Sequence, residues 1–247
     1  MSALLETSDL TVRYGGVSAL TGCNLEVRDG QLVGLIGPNG AGKTTFIDAV
    51  TGFTKARGTV RLDGRDISGL APHRRAQAGF ARTWQAAELF DELTVRENLA
   101  MGAGGSSWRS TLSEIARART KTPPVVDETI DLLGLGHLAD LLPESLTHGE
   151  RKLVGVGRAL AAKPRVVLLD EPAAGLDSAE SGKLGSELRR LCDGGLALLL
   201  VDHDMNLVLS VCDHVVVLEF GQVIAAGKPD AIRSDPRVIA AYLGQVA

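Results

Sequence analysis

Leu32-Val33-Gly34-Leu35-Ile36-Gly37-Pro38-Asn39-Gly40-Ala41-Gly42-Lys43-Thr44-Thr45 is the stretch on which the reading of this chain turns. An apolar run of strand length enters a glycine-rich loop, and helical residues begin at Lys43 and run to a stop near Gly52. Gly37 to Thr44 fits the pattern G-x-x-x-x-G-K-[ST]. Glycines in such a loop let the backbone curl until successive N–H groups point at one anion. The helix start adds unpaired donors and partial positive charge. Lys43 can then reach the terminal phosphates of a nucleotide, and the Thr44 hydroxyl can bind Mg²⁺. An ordinary Gly-rich turn before a helix is the bland alternative, and the strand–loop–helix context stands against it. By itself the motif implies a binder of nucleoside triphosphates.

Working outward, the flanks differ in kind. Leu10, Val12 and Tyr14 alternate with polar neighbours, Gly15-Gly16 breaks the run, and Leu25 and Val27 alternate again before Asp29-Gly30. Val60 and Leu62 run into Asp63-Gly64, a hairpin signal. These pieces predict a small N-terminal antiparallel layer. Further on, the apolar runs 166–169 and 196–201 are separated by a charged helical stretch from about Glu180 to Leu191. That alternation predicts a parallel sheet covered by helices. Between about 86 and 161 strand signals are scarce. Thr94 and Glu97 make a capping box with Gly102 as the stop, Trp108, Leu112 and Ile115 share a helical face, and Pro123-Pro124 opens a segment ending at Gly134. The expectation is one domain over 1–247, with a helical lobe at 86–161 inserted in an α/β core. A terminal hairpin, 215–218 with 223–226 about Gly221, precedes short helices near Asp230 and Asp235.

Two further segments carry chemistry. Run 166–169 ends in Asp170-Glu171-Pro172, and acids at the carboxyl end of a buried parallel strand face the ligand crevice of an α/β sheet. Asp170 can hold the Mg²⁺ shell and Glu171 can polarise a water as general base, although two acids before a Pro-led turn also close ordinary strands. Thr147-His148-Gly149-Glu150 opens a helix with Leu153, Val156 and Leu160 on its apolar face. It reads as a capping box whose glycine leaves backbone donors open to an anion.

Composition bounds the rest. The 247 residues are 45% hydrophobic and 23% charged, which excludes a wholly disordered chain. Lys and Arg number 26 against 30 Asp and Glu, so no broadly basic nucleic-acid surface is expected. Cys23, Cys192 and Cys212 have neither disulfide-framework nor metal spacing. No basic-then-apolar start suggests a secretory signal, and no apolar run approaches the ~20 residues of a membrane helix. Any membrane role is therefore expected through a partner.

The order Gly37 to Thr45, Gln85, Leu146-Thr147-His148-Gly149-Glu150, Leu168-Leu169-Asp170-Glu171-Pro172, Gly175-Leu176-Asp177 and His203 resembles the nucleotide-binding subunit of ATP-binding-cassette (ABC) transporters along nearly the whole chain. The family segment usually written LSGGQ reads LTHGE here. The resemblance implies a P-loop NTPase (RecA-like) core, ATP hydrolysis and Mg²⁺. It implies that Tyr14 stacks on adenine, where a packed strand aromatic is the alternative. Gln85 would sense Mg²⁺ and the attacking water, and His203 would contact the γ-phosphate. Asp177 would lie in a loop linking two active sites, or else simply cap the helix from Ser178. Two subunits, identical or paralogous, would pair head to tail, with Thr147, His148, Gly149 and Glu150 of one closing over ATP held by Gly37, Pro38, Asn39, Gly40, Ala41, Gly42, Lys43, Thr44 and Thr45 of the other. The implied partners are polytopic permease subunits and, indirectly, a substrate-binding protein. The implied place is the cytoplasmic face of the membrane.

Gly79-Phe80-Ala81-Arg82-Thr83-Trp84-Gln85, Leu89-Phe90, Leu93-Thr94-Val95, Asp202-His203-Asp204-Met205 and Ala240-Ala241-Tyr242-Leu243-Gly244 are similar to ATPases of the branched-chain amino-acid importer group, which usually has Phe in place of Trp84. Leu89, Phe90 and Trp84 either form a groove for a helix of the membrane partner or pack within the lobe. The rival functions are weaker. A cassette ATPase of DNA repair or translation usually has two cassettes or a long coiled coil. A GTP switch needs N-K-x-D, yet none of Asn24, Asn39, Asn98 and Asn206 precedes a Lys. A small-molecule kinase would not need residues 147–150.

Overall fold

The buried apolar runs form the central strands. In this computed structural model, which describes residues 3–83, 89–103 and 122–243, strands β1 (Leu5–Tyr14) and β2 (Val17–Val27) lead to β3 (Leu32–Ile36), α1 (Lys43–Thr51), β4 (Arg57–Leu62), β5 (Arg65–Asp66), α2 (Pro72–Gln77) and β6 (Phe80–Arg82). Helices α3 (Val95–Ala103), α4 (Pro124–Leu132) and α5 (His148–Leu160) follow. The chain then alternates through β7 (Val166–Asp170), α6 (Ser178–Asp193), β8 (Ala197–Val201), α7 (Met205–Val211), β9 (His214–Glu219), β10 (Gln222–Gly227), α8 (Pro229–Ser234) and α9 (Pro236–Leu243).

Strands β3, β7 and β8 are buried at every position, so they have no polar face to offer water and need cover on both sides. They lie inside a six-stranded sheet of order β10-β9-β3-β8-β7-β6, parallel except for the β9–β10 hairpin. Alternate residues part to opposite faces. Leu32, Ile36, Val167, Leu169, Leu198 and Leu200 join a core with α6, α7 and the helices between 95 and 160. Val33, Leu35, Leu168 and Leu199 instead pack with Phe46, Ile47 and Val50 of α1 and with Leu5, Leu10 and Val60 of a second sheet. That sheet is antiparallel, order β2-β1-β4-β5. Asp63 and Gly64, both at positive φ (52° and 74°), make its two-residue β4–β5 turn.

Among the described residues between 86 and 161 there are helices and no strand. The Thr94–Glu97 box forms in both directions, Thr94 N–H donating to Glu97 Oε2 at 2.9 Å and Glu97 N–H to Thr94 Oγ1 at 3.2 Å. Asn98, fully buried, braces the turn before it. Its Oδ1 accepts from Phe90 N–H, and its Nδ2 donates to the carbonyls of Phe90, Leu93 and Thr94. One expectation fails. Helix α3 runs through Gly102, because that glycine serves close approach rather than termination: a Cβ there would lie 1.9 Å from the Arg158 carbonyl oxygen on α5. Leu153 is only half-buried, and Val154 takes the inner place on α5. Trp108, Leu112 and Ile115 lie outside the described residues. No helix among the described residues is long and apolar enough to cross a membrane.

The three cysteines are all buried and free. Burial pushes their thiols up, Cys192 to about 12 and Cys212 further, with Cys23 raised in the same sense. A raised acid pKa in the fold means that only the unfolded thiol ionises near its ordinary value of 9.0. The stability these thiols support is therefore complete below pH 9 and falls as pH rises above it. Urea unfolding midpoints should drop between pH 8.5 and 10.5, and a triple Cys→Ala variant should lose that part of the slope; an identical slope in the variant would refute the assignment. Gly102→Ala should destabilise by about 1–3 kcal/mol through overpacking, outweighing the helix preference of Ala over Gly of about 1 kcal/mol. An unchanged midpoint would show that α3 can move off α5 freely.

Candidate active site

Parallel pairing brings three strand ends to one edge. Leu35 pairs with Val201, and Asp170 pairs with Val201 from the other side, so the loops after β3, β7 and β8 emerge together. The first carries the glycine loop. Gly37, at φ 154°, is where a Cβ would sit 2.2 Å from the Leu218 carbonyl oxygen. Gly42, at φ 104°, caps α1, and a Cβ there would lie 2.7 Å from the Ala19 carbonyl oxygen. The loop is thus wedged between the end of β9 and the antiparallel layer. Gly221 N–H donates to Ala41 O at 2.9 Å, and Thr21 N–H donates to Gly221 O at 2.8 Å, which staples all three together.

Lys43 is buried, and its Nζ donates to Gly37 O at 2.7 Å and Pro38 O at 3.2 Å. Burial draws its pKa below the ordinary lysine value, and the negative charges of Glu171, Asp202 and Asp170 oppose that shift. Thr44 is exposed on the first turn of α1 and Thr45 half-buried. Asp170, 4% exposed, accepts from Arg82 Nη2 at its Oδ2 (2.9 Å), and its N–H donates to Thr83 Oγ1 at 3.2 Å. Glu171 holds a positive φ of 47°, with its N–H fixed to Val201 O at 2.7 Å. Such backbone is uncommon outside glycine and collects at functional sites.

The third loop carries His203. Its Nδ1 lies 3.8 Å from Glu171 Oε2 and 3.5 Å from Asp202 Oδ1, and the side chain is 57% exposed. Asp202 itself, fully buried, lies in a motif quoted from the sequence but was given no role there. Its Oδ1 accepts from the backbone N–H groups of His203 (2.8 Å) and Asp204 (3.0 Å), and its Oδ2 accepts from Ala173 N–H (3.1 Å). One carboxylate therefore ties the loop after β8 to the loop after β7. The available signal was an acid between an apolar strand and the candidate His203. Arg82 and Asp48 were also missed as part of this group. Arg82 lies in a quoted motif, and its partners are distant in sequence.

Other expected residues lie apart. Tyr14 is half exposed rather than packed in the core, and its hydroxyl meets Thr54 Oγ1 at 3.1 Å. Thr147 caps α5 through a two-way box, Glu150 N–H to Thr147 Oγ1 at 3.2 Å and Thr147 N–H to Glu150 Oε2 at 2.8 Å. Thr147 and His148 are exposed, and His148 Nε2 lies 3.4 Å from Ala174 O in the loop after β7. Asp177 caps α6, its Oδ1 accepting from Ala179 and Glu180 N–H. Gln85 and Trp84 lie outside the described residues. A cleft of about 950 Å³ runs from Asp170 and Glu171 to the lobe, with Leu89, Phe90 and Arg158 on its wall. Leu89 is buried there, whereas Phe90 is 45% exposed with the Arg158 guanidinium 5.7 Å from its ring centre.

Comparison with known proteins converges. The family described as ABC transporter matches residues 20–174, and the one described as branched-chain amino acid ATP-binding cassette transporter matches 222–247. The chain is 38% identical to the high-affinity branched-chain amino acid transport ATP-binding protein BraF of Pseudomonas aeruginosa, over 98% of each. It is 35% identical, again over 98% of each, to the lipopolysaccharide export system ATP-binding protein LptB of Haemophilus influenzae. Among solved structures it resembles the ADP conformation of an ATP-binding cassette of an ABC transporter, with TM-score 0.87 and 32% identity over 99% of this chain and 100% of that one.

Asp202→Ala would leave the buried Ala173 N–H and the part-buried N–H groups of His203 and Asp204 without their acceptor, so a stability loss of about 1–3 kcal/mol is expected from chemical denaturation, with Asp202→Asn intermediate because it keeps one acceptor oxygen. Equal stability of Asp202→Ala and wild type would show that these loops are held by other means.

Proposed function

The chain belongs to the ABC transporter family of ATP-binding cassettes, and on that premise we propose that it powers an importer for branched-chain amino acids or related small amides. It binds and hydrolyses ATP as the nucleotide-binding subunit of a transporter. The observation that carries the mechanism is the shared edge on which Lys43, Asp170, Glu171 and His203 meet. Residues Gly37 to Thr45 cradle the phosphates with backbone N–H groups and the Lys43 ammonium. Tyr14, exposed beside Thr54, offers its ring to adenine. Glu171 accepts a proton from the attacking water. His203, beside Glu171, donates to the γ-phosphate.

The residues present fit a magnesium ion. Asp170 offers a carboxylate and Thr44 an exposed hydroxyl, and Mg²⁺ takes such hard oxygen donors together with substrate phosphates and water. Asp170 and Thr44 would hold it, with Gln85 as expected from sequence, and the ion would neutralise charge on the phosphates.

A second cassette, identical or paralogous, supplies residues 147–150 across a head-to-tail dimer. The exposure of Thr147 and His148 supports this reading. Permease subunits dock at the cleft beside the exposed Phe90, which keeps the chain peripheral at the cytoplasmic face of the membrane. Cassettes of similar identity are named for unrelated cargoes, amino acids in one relative and lipopolysaccharide in another. Cargo choice therefore belongs to partner subunits, and the match at 222–247 favours the amino-acid branch.

Glu171→Gln removes the base but keeps the shape. ATP affinity should stay within about threefold while turnover falls by about 10²-fold or more. Light scattering with Mg²⁺ and ATP should find a dimer of the variant, and a monomer at saturating nucleotide would overturn the sandwich.

A further inference from the structure

Arg82 ends β6, and its place is fixed from both sides. Residue 82 pairs with Leu168 of β7, and the next residue donates its N–H to Leu168 O at 2.9 Å. The guanidinium, only 7% exposed, then forks. Nη1 donates to Asp48 Oδ1 at 2.5 Å and Nη2 to Asp170 Oδ2 at 2.9 Å. Asp48 lies on α1 four residues after Thr44, one turn along the same face. One planar cation thus joins the helix bearing Thr44 to the strand end bearing Asp170.

A buried ion pair is weak evidence for stability, since desolvation offsets much of the attraction. Its geometry is better evidence of purpose. A guanidinium holds two carboxylates in fixed directions, which an ammonium cannot do. The pairing occupies Oδ2 of Asp170 and leaves Oδ1 for a cation. We propose that Arg82 is a positioning residue, which with Asp48 locks the Asp170 carboxylate against α1 so that Asp170 and Thr44 are presented together to Mg²⁺. This rests on the reading of Asp170 and Thr44 as the magnesium donors. Arg82 and Asp48 act through Asp170 and touch neither metal nor phosphate in this scheme.

The test uses the full chain with Arg82→Lys, Asp48→Ala and the double variant. A fluorescent ATP analogue is titrated in EDTA and in magnesium chloride, and the Mg²⁺ concentration giving half-maximal ATPase is measured alongside. In EDTA the affinities should stay within about twofold of wild type, whereas the gain in affinity on adding Mg²⁺ should fall and the half-maximal Mg²⁺ rise by about tenfold, as for other outer partners of metal ligands. The double variant should be no worse than Arg82→Lys alone, because both changes open the same clamp. Asp48 is 28% exposed and its truncation should leave the fold intact, so Asp48→Ala decides the matter if Arg82→Lys does not fold. A folded Asp48→Ala or Arg82→Lys protein with the wild-type Mg²⁺ dependence overturns the clamp. A wild-type protein whose nucleotide affinity ignores Mg²⁺ overturns the metal reading instead, so the two failures are distinct.

Discussion

The site depends on one constraint, that β3, β7 and β8 run parallel in a register that ends them at the same level. Each strand is buried on both faces, so none can slip by a residue without exchanging the side chains packed against α1 for those packed against α6. The hydrophobic effect thereby fixes the level of three loops to within one peptide. Lys43, Asp170 and His203 have no direct hydrogen bond to one another among the described residues, yet they share an edge because the apolar residues beneath them admit one register. Function is stored in the core and displayed at its rim.

The charges at that rim are uneven. The negative charges of Asp170, Glu171 and Asp202 all act on the buried Lys43 ammonium. Each acid solves its solvation differently. Asp202 takes three backbone N–H groups, and Asp170 takes the Arg82 guanidinium. Glu171, left partly exposed beside His203, keeps a carboxylate near the crevice. Three carboxylates on adjacent strand ends thus have three different surroundings: backbone N–H groups, a guanidinium, and a half-open crevice beside an imidazole. Their sequence neighbourhoods are alike, and only the partners tell them apart.

That distinction also marks where the sequence stopped being legible. Strands and helices whose burial follows a simple period were readable: β1 and β2 from alternation, β3, β7 and β8 from unbroken apolar runs, α6 from its charged face. The glycine loop was readable because its chemistry is contiguous. Asp202 and Arg82 were not, because their roles come from partners far along the chain, Ala173 for Asp202 and both Asp48 and Asp170 for Arg82. Gly102 misled for a related reason. A glycine that ends a helix and one that admits a neighbouring helix are the same letter, and the Arg158 carbonyl that separates the two cases sits 56 residues away by number, 158 minus 102. Leu89 and Phe90 show the same limit within one dipeptide, since the first is buried and the second half exposed.

The substituted segment at 147–150 follows from the same reasoning about partners. A glutamate at a helix start is favoured by the dipole, and here its carboxylate turns back to accept from Thr147 N–H while Thr147 Oγ1 accepts from Glu150 N–H. The box therefore absorbs the amides of residues 147 and 150. Among the described residues it leaves those of His148 and Gly149 as the open donors of α5. The acidic side chain of Glu150 is thus held against its own helix start. The exposed His148 ring, anchored by Ala174 O, carries the helix start against the loop that follows Glu171. The start of α5 and the loop after β7 are therefore in direct contact, so a displacement of either is felt by the other.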